Sequence, residues 1–405
     1  MNKALIVEKL DQYIYYSLLL MGISTGVSKA AQNIAIGFGV LIFIIRLCIR
    51  HDDLHSPFKS TPFFPKTIII LLLAAVLSVI FSDYPSTGWR TIANLYIARW
   101  VLPLILLLSL KTRQQVYHIV ICFLISFTLN NFYCIYEGVI KQLPRSHGIF
   151  HAIMSTAGLL CLGVPPLLIG GVLSNNRKHQ LLLLSSGIIG LVAAYYNHTR
   201  GAWLAIGASV FLCLLISGFR NRRALIAILV TTSIAFGLFF GNSTFHKKVA
   251  SRDFMKDNER VCLWQSAIAM FRDDPLTGIG FGEFKHVYEP HGYILPEAKS
   301  RGYENAHNHT LNYLAEGGLP GVTAILLFWF YLLQLGLKDW HRNNQLISLC
   351  FFSMMLSFII QGQTNCNLIT AIEAKSFWIF IALYIKWRTL SLENKVISSV
   401  NNKVQ

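Results

Sequence analysis

Apolar runs long enough to cross a hydrocarbon layer of roughly 30 Å recur from one end of this chain to the other. Runs of that length fold as transmembrane helices, and they recur often enough to leave room for little else. Of 405 residues, 54% are hydrophobic and 13% are charged. The expected fold class is therefore all-α, a polytopic membrane protein. No short apolar stretch leads into a small-residue cleavage site, so no removable signal peptide is expected. A net charge of +16 would suit nucleic acid, but the cations lie mainly in short connections between apolar runs and form no stripe with aromatic platforms. None of the eight cysteines has the paired spacing of a zinc or redox site. Cys262 and Cys366 both fall outside the spans, where spacing cannot reveal pairing.

Hydropathy read with the short loops gives twelve expected spans, near 12–28, 31–48, 67–82, 91–110, 117–139, 150–174, 180–197, 202–219, 223–241, 319–337, 346–362 and 369–386. Basic clusters follow every second span: Arg46 and Arg50, Lys111 and Arg113, Arg177 and Lys178, Arg220 with Arg222 and Arg223, Lys338 and Arg342, Lys386 and Arg388. Such clusters mark the cytoplasmic side, so both termini are expected there. The opposite face then carries the 141–151 connection, the turn at 198–200 and the long segment 242–318. The chain divides accordingly into helices over 1–241, a loop over 242–318, and helices with a cytoplasmic tail over 319–405.

Structureless connections beyond about 12 to 15 residues are uncommon unless they work, so the length of 242–318 points to function. Within it Val261, Trp264, Ile268 and Phe271 recur at helical spacing and predict an amphipathic helix with Arg260 at its start. Pro275 ends that helix, and Gly278, Gly280 and Gly282 permit a close-packed turn. The turn lacks the preceding strand, the lysine and the hydroxyl of a phosphate-binding loop. A second helix is predicted from about His307 to Glu316, closing at Gly317 and Gly318 and continuing through Pro320 into the tenth span.

Three elements carry candidate chemistry. Arg200, in His198-Thr199-Arg200-Gly201-Ala202-Trp203-Leu204, sits at the membrane edge on the face poor in short-loop cations, where its lost hydration calls for an anion. Arg260 has a bland reading as a solvated partner of Glu259 or Asp257. His307-Asn308-His309 offers imidazole, suited to taking a proton from a hydroxyl near neutral pH. On one helix the two histidines would point about 200° apart, so one is the base and the other a bystander. The 242–318 face has no Asp-x-Asp pair, which leaves charge neutralisation to arginine and no metal expected. Lys141, Arg145, His147 and His151 are candidates for holding anionic lipid groups or for anchoring at the interface. Pro165 and Pro166 break one span, the feature that speaks for a transporter of lipid-linked solutes.

Taken together, Thr199-Arg200-Gly201-Ala202-Trp203-Leu204, Arg260 before Trp264, Asp274-Pro275-Leu276-Thr277-Gly278-Ile279-Gly280, and His307-Asn308 with Leu314-Ala315-Glu316-Gly317-Gly318-Leu319 resemble the bacterial O-antigen ligase and polymerase family over roughly 190–330. The resemblance implies a GT-C-like membrane glycosyltransferase with one large periplasmic loop, in the bacterial inner membrane. Its active site would face the periplasm. It implies transfer of polysaccharide from undecaprenyl diphosphate to the lipid A-core oligosaccharide, completing lipopolysaccharide, by inversion and without metal or cofactor. His307, Arg200 and Arg260 would be catalytic, with Lys141, Arg145, His147, His198, Asn308 and His309 binding substrate. Partners would be the two glycolipids, membrane lipids and other O-antigen assembly proteins, and no nucleic acid. The same scaffold serves polymerases of O-antigen repeats; the intact Thr-Arg-Gly-Ala-Trp and His-Asn elements look more like the ligase branch.

Overall fold

The computed structural model describes residues 3–50, 58, 60–218, 222, 223, 226, 259–298, 302–343, 345–369 and 371–404. All regular elements among them are helical. The first are α1 (Lys3–Ser24), α2 (Lys29–Ile49), α3 (Phe64–Ile80), α4 (Pro85–Ile92) and α5 (Ala98–Ser109), the last two joined by a π-helical turn at Ala93–Ile97. There follow α6 (Arg113–Val139), α7 (Ile153–Leu173), α8 (Arg177–Asn197) and α9 (Arg200–Gly218). Beyond them lie α10 (Glu259–Asp273), α11 (Phe284–Tyr288), α12 (His309–Asn343), α13 (Leu346–Gly362) and α14 (Ala371–Val404).

Local chemistry sets several boundaries. The Ser28 hydroxyl accepts from the Ala31 N–H to cap α2, and Thr112 with Gln115 closes a capping box on α6. Asn176 caps α8 through the N–H groups of Lys178 and His179. Gly318, at φ 59° and ψ −154°, kinks α12 two residues before Pro320. The first part of α12 thereby becomes a separate short rod on the loop side.

Among the described residues seven helices are long and apolar enough to cross a membrane: α2, α4 with α5, α6, α7, α8, α9 and α12. The shorter α3 and α13 are also apolar. A helix overlies each expected span except that at 223–241, which, apart from Arg223 and Ile226, lies outside the described residues, as does loop stretch 242–258. The expected break in the sixth span is corrected, because α7 runs without interruption through Pro165 and Pro166. Each proline forfeits one ladder bond, freeing the carbonyls of Cys161 and Leu162, a loss that a membrane helix tolerates where neighbours pack against it.

Packing follows membrane logic. Large apolar side chains such as Leu181, Leu204 and Phe330 are exposed on the outside, whereas Asn130, Asn131, Asn197, Gln361 and Glu373 are wholly buried. Small residues bring helices together: a Cβ on Gly171 would lie 2.6 Å from Leu184, and one on Gly187 2.8 Å from Leu168, which draws α7 against α8. Helix α13 fits between α7 and α9, α12 packs on α3 and α13, and α14 packs on α5. At one end, basic residues meet acids. Arg46 and Lys111 share Asp11 at 3.1 and 2.5 Å, Arg388 reaches Asp339 at 2.7 Å and the Ser60 carbonyl, and Arg113 lies over Trp387.

Candidate active site

At the other end, α8 stops at Asn197 and His198 turns the chain through the left-handed region, at φ 54° and ψ 28°, so that α9 can begin at Arg200. The buried Asn197 fastens this turn to the 140–152 connection: its Nδ2 donates to the carbonyls of Ser146 and Ile153 at 2.9 and 3.1 Å. The Ser146 N–H donates back to the Tyr196 carbonyl. The connection is held from beneath by Glu137, whose carboxylate accepts the N–H groups of His147 and Gly148, both at 2.9 Å. Arg145 is thereby carried onto the turn, where Nη2 donates to Thr199 Oγ1 at 3.0 Å and Nε to the Asn197 carbonyl at 3.4 Å.

Three guanidinium groups and an imidazole converge there. Burial and then repulsion from Arg200 hold Arg145 below the usual arginine range. Arg260, in the first turn of α10, is lowered by burial, then by Arg200, then by Arg145. His307 is lowered by burial and then by Arg260, against a raising hydrogen bond with the Asn365 side chain. The imidazole therefore favours its neutral form, the one able to accept a proton. An anion placed among such cations would relieve their mutual repulsion.

The His-Asn turn departs from expectation. Helix α12 begins at His309, and His307 precedes it in a left-handed conformation at φ 47°. The reason is the cap: Asn308 Oδ1 accepts the Leu311 N–H at 3.0 Å, a role that forces Asn308 and its predecessor out of the helix. His307 packs edge-on to Tyr303, with ring centroids 5.5 Å apart. His309 points inward, wholly buried against Tyr313 and Trp329. The two imidazoles part company because a helix start falls between them, not because they oppose each other on one helix.

Arg200 and His307 are 107 residues apart, and the connection between α13 and α14 joins their supports. A Cβ on Gly201 would lie 2.0 Å from Thr364 Oγ1, so α9 touches this connection at the residue after Arg200. Thr310 Oγ1 donates to Gln363 Oε1 at 2.9 Å, and the backbone N–H groups of His307 and Asn308 both approach the Cys366 thiol. Cys262 and Cys366 are both free.

The remaining expected residues divide. Lys141 is exposed and turned onto Tyr133 and Tyr136, its Nζ 5.1 and 5.4 Å from the ring centroids. His151 lies beside Tyr133, and His198 packs on Tyr195 and Trp203. His147 is half-buried and contributes its N–H to Glu137. The amphipathic face of α10 is also corrected. Its buried residues are Cys262, Leu263, Ser266, Ala267 and Met270, whereas Val261, Trp264, Ile268 and Phe271 are half-buried. Small side chains at 266 and 267 let α10 approach α12, leaving the bulkier stripe along the flank. The glycine turn packs on the kink of α12: Gly278 has φ +70°, and the N–H groups of Ile279 and Gly280 donate to the carbonyls of Ala315 and Glu316.

A polytopic helical protein with a cation cluster at one end of its bundle is the class these observations define. Residues 185–326, the stretch that holds Arg200, Arg260 and His307, match the family model described as O-antigen ligase, and this match supports a member of the O-antigen ligase and polymerase family. No curated protein matches the chain. The match and the apolar helices point to a multi-pass bacterial membrane protein with glycosyltransferase-type activity. Arg145 and the connection bearing Thr364 lie outside the matched stretch. Sequence reading missed that connection for want of any motif, and it missed three charged residues in expected spans: Arg99, Glu137 and Glu373. An ionisable residue inside an apolar run was the signal that would have found them.

Proposed function

We propose that this protein is an O-antigen ligase of the bacterial inner membrane. It transfers polysaccharide from undecaprenyl diphosphate to lipid A-core oligosaccharide on the periplasmic face, at the end of the bundle that carries Arg145, Arg200 and Arg260. The observation that carries the reading is the approach of these three arginines to one another and to His307, from four separate segments. A diphosphate leaving group needs this concentration of bidentate donors, and an attacking hydroxyl needs a neutral imidazole beside it.

In the proposed reaction an acceptor sugar hydroxyl attacks the anomeric carbon of the donor from the face opposite the diphosphate. The new carbon–oxygen bond forms as the bond to the bridging phosphate oxygen breaks, with inversion. The electron pair leaves on that oxygen, and His307 takes the hydroxyl proton. Arg200 and Arg260 oppose the charge growing on the diphosphate, a stabilisation for which one well-placed donor supplies about 2.7 to 4 kcal/mol. Arg145 adds a third cation and fixes the Arg200 turn. The cleft opens to lipid because both substrates keep their chains in the membrane.

The test is reconstitution of the purified protein with undecaprenyl-diphosphate glycan and lipid A-core. Covalent capping supports the ligase reading. Donor glycan lengthening without acceptor modification would replace it with polymerisation, and movement of donor across the bilayer without product would replace it with transport.

A further inference from the structure

A cavity of about 320 Å³ lies against the start of α12, where His309, Asn312 and Tyr313 line it. Its wall is the π-helical turn Ala93–Ile97 with Tyr96, and its depth is reached by Arg99. A π-turn inside an apolar helix is a local distortion that recurs at functional sites. Arg99 stands within the α4–α5 span, where a cation is costly without a partner. Its Nη1 donates to the Leu368 carbonyl and its Nη2 to the Ile369 carbonyl at 2.8 Å, and among the described residues no carboxylate comes within ion-pair distance. Two of its five donors are thus used by neutral carbonyls, and the buried Glu373 carboxyl acts on it only from beyond ion-pair distance.

The carboxylates of the cavity are already engaged elsewhere. Glu316 accepts the Phe284 N–H at 3.3 Å within the glycine turn, and Glu304 meets Lys285 at 3.1 Å on the exposed rim. His309 supplies an independent sign: it lines the cavity, is wholly buried, and neither ring nitrogen has a hydrogen-bond partner. A buried imidazole in that state lacks the partner that buried polar groups normally find. The cavity thus offers a guanidinium hydrogen-bonded only to neutral carbonyls, an imidazole with no hydrogen-bond partner, a lysine at its rim, and aromatic walls. Its volume falls at the low end of the 300 to 1,000 Å³ typical of small-molecule sites.

We propose that this cavity binds an acidic group, phosphate or carboxylate, carried on a hydroxyl-rich headgroup. Arg99 receives the anion, His309 bonds to a hydroxyl, and Lys285 exchanges its exposed partner Glu304 for the ligand. The reading takes from the proposed function only that the acceptor is a glycolipid. The headgroup then belongs either to that acceptor or to a bulk phospholipid.

Binding is measured without donor, by native mass spectrometry of the purified protein in detergent. The probes are lipid A-core glycolipid with its phosphates, the same glycolipid after phosphatase treatment, and phosphatidylglycerol. The expected result is at least tenfold tighter binding of the phosphorylated than of the dephosphorylated glycolipid, with the preference lost in Arg99→Gln. Lys285→Gln, whose exposed side chain cannot threaten folding, should reduce that preference about threefold. Arg200→Ala should leave it intact, so loss of transfer and loss of this site are separable. Equal binding of phosphatidylglycerol that is likewise lost in Arg99→Gln assigns the anion to bulk lipid. Unchanged preference in folded Arg99→Gln together with Lys285→Gln overturns the proposal.

Discussion

The two ends of the helical bundle use arginine in opposite ways. At the basic-loop end each cation that has a described contact settles on an acid, a carbonyl or an aromatic ring: Arg46 and Lys111 on Asp11, Arg388 on Asp339, Arg113 on Trp387. At the other end Arg145, Arg200 and Arg260 crowd one another, and the crowding lowers Arg145 and Arg260 from their usual range. Charge at the first end is spent within the fold, as topology and anchoring require. Charge at the second is gathered on guanidinium groups that repel one another. The lesson is that the number of cations at a membrane face says little about function, whereas how closely they are gathered says more.

The largest expected effect breaks the second end directly. Arg200→Ala and His307→Ala should each lower transfer by on the order of a hundredfold to a thousandfold at unchanged protein level. The measurement is lipopolysaccharide capping in a deletion strain complemented with each variant, and near-normal capping in either would remove that residue from the chemistry. Full activity in His307→Ala with loss in His309→Ala would move the base to the inner imidazole.

Next comes Gly201→Ala, which touches no substrate in the proposed mechanism. Its new Cβ would lie 2.0 Å from Thr364 Oγ1, so α9 and the α13–α14 connection must separate, and Arg200 and His307 with them. Capping should fall by roughly tenfold or more, since misplacement of about 1 Å can cost a hundredfold. Adding Thr364→Ala removes the nearest atom and should restore part of the loss; no recovery in the double variant would uncouple the connection from the site.

The basic end predicts a different phenotype. Asp339→Asn leaves Arg388 and the Tyr384 hydroxyl without their charged acceptor, and should cost about 2 kcal/mol of stability, short of the 3 to 5 kcal/mol of a fully buried pair. Turnover per folded molecule should stay unchanged. A lower melting temperature with normal specific activity sustains the contrast between the ends, and an activity loss at unchanged melting temperature would dissolve it.

A finer test uses pH. Burial and Arg260 both lower His307, so its neutral form persists below the usual histidine range and activity should fall only as pH drops through that lowered value. Arg260→Gln removes a lowering influence, raises His307, and should shift the acid limb of the residual activity to higher pH. A shift in the other direction, or no shift, would separate the two groups electrostatically. The smallest effect is expected for Lys141→Gln, because this exposed lysine lies over tyrosine rings as an interface anchor. Less than about a twofold change in capping is expected, in line with the small worth of exposed charge contacts.

Much of the outline was legible before any coordinates. For several spans the apolar runs give helix positions within a few residues, as at Leu346–Gly362 against 346–362, whereas the helices Lys3–Ser24, His309–Asn343 and Ala371–Val404 run well beyond the runs at 12–28, 319–337 and 369–386. Arg200, Arg260 and His307 stand out because each breaks a local rule. Other readings failed for definite reasons. The stripe Val261, Trp264, Ile268 and Phe271 marks apolarity, but in contact with membrane or bundle the closest approach goes to small side chains, so Ser266 and Ala267 face inward. Pro165 and Pro166 look like a break in isolation, yet α7 runs through both. Lys141 and Arg145 lie four residues apart in one basic stretch, yet one faces a tyrosine pair and the other the Arg200 turn.

The amino-acid sequence by itself determined an all-helical membrane protein, because residues that lose hydration in lipid must close their backbone bonds within each segment, and that demand is local. It also determined the motif order by which the family is recognised. Only the tertiary structure decided that Arg145 joins Arg200 and Arg260, that the α13–α14 connection braces both halves of the site, and that Arg99 and His309 share a cavity. The physical reason is that helices apolar on every side carry little periodic sign of which face meets which neighbour. Small-residue contacts such as Gly201 on Thr364 choose the partners, and those contacts exist only between segments far apart in the chain.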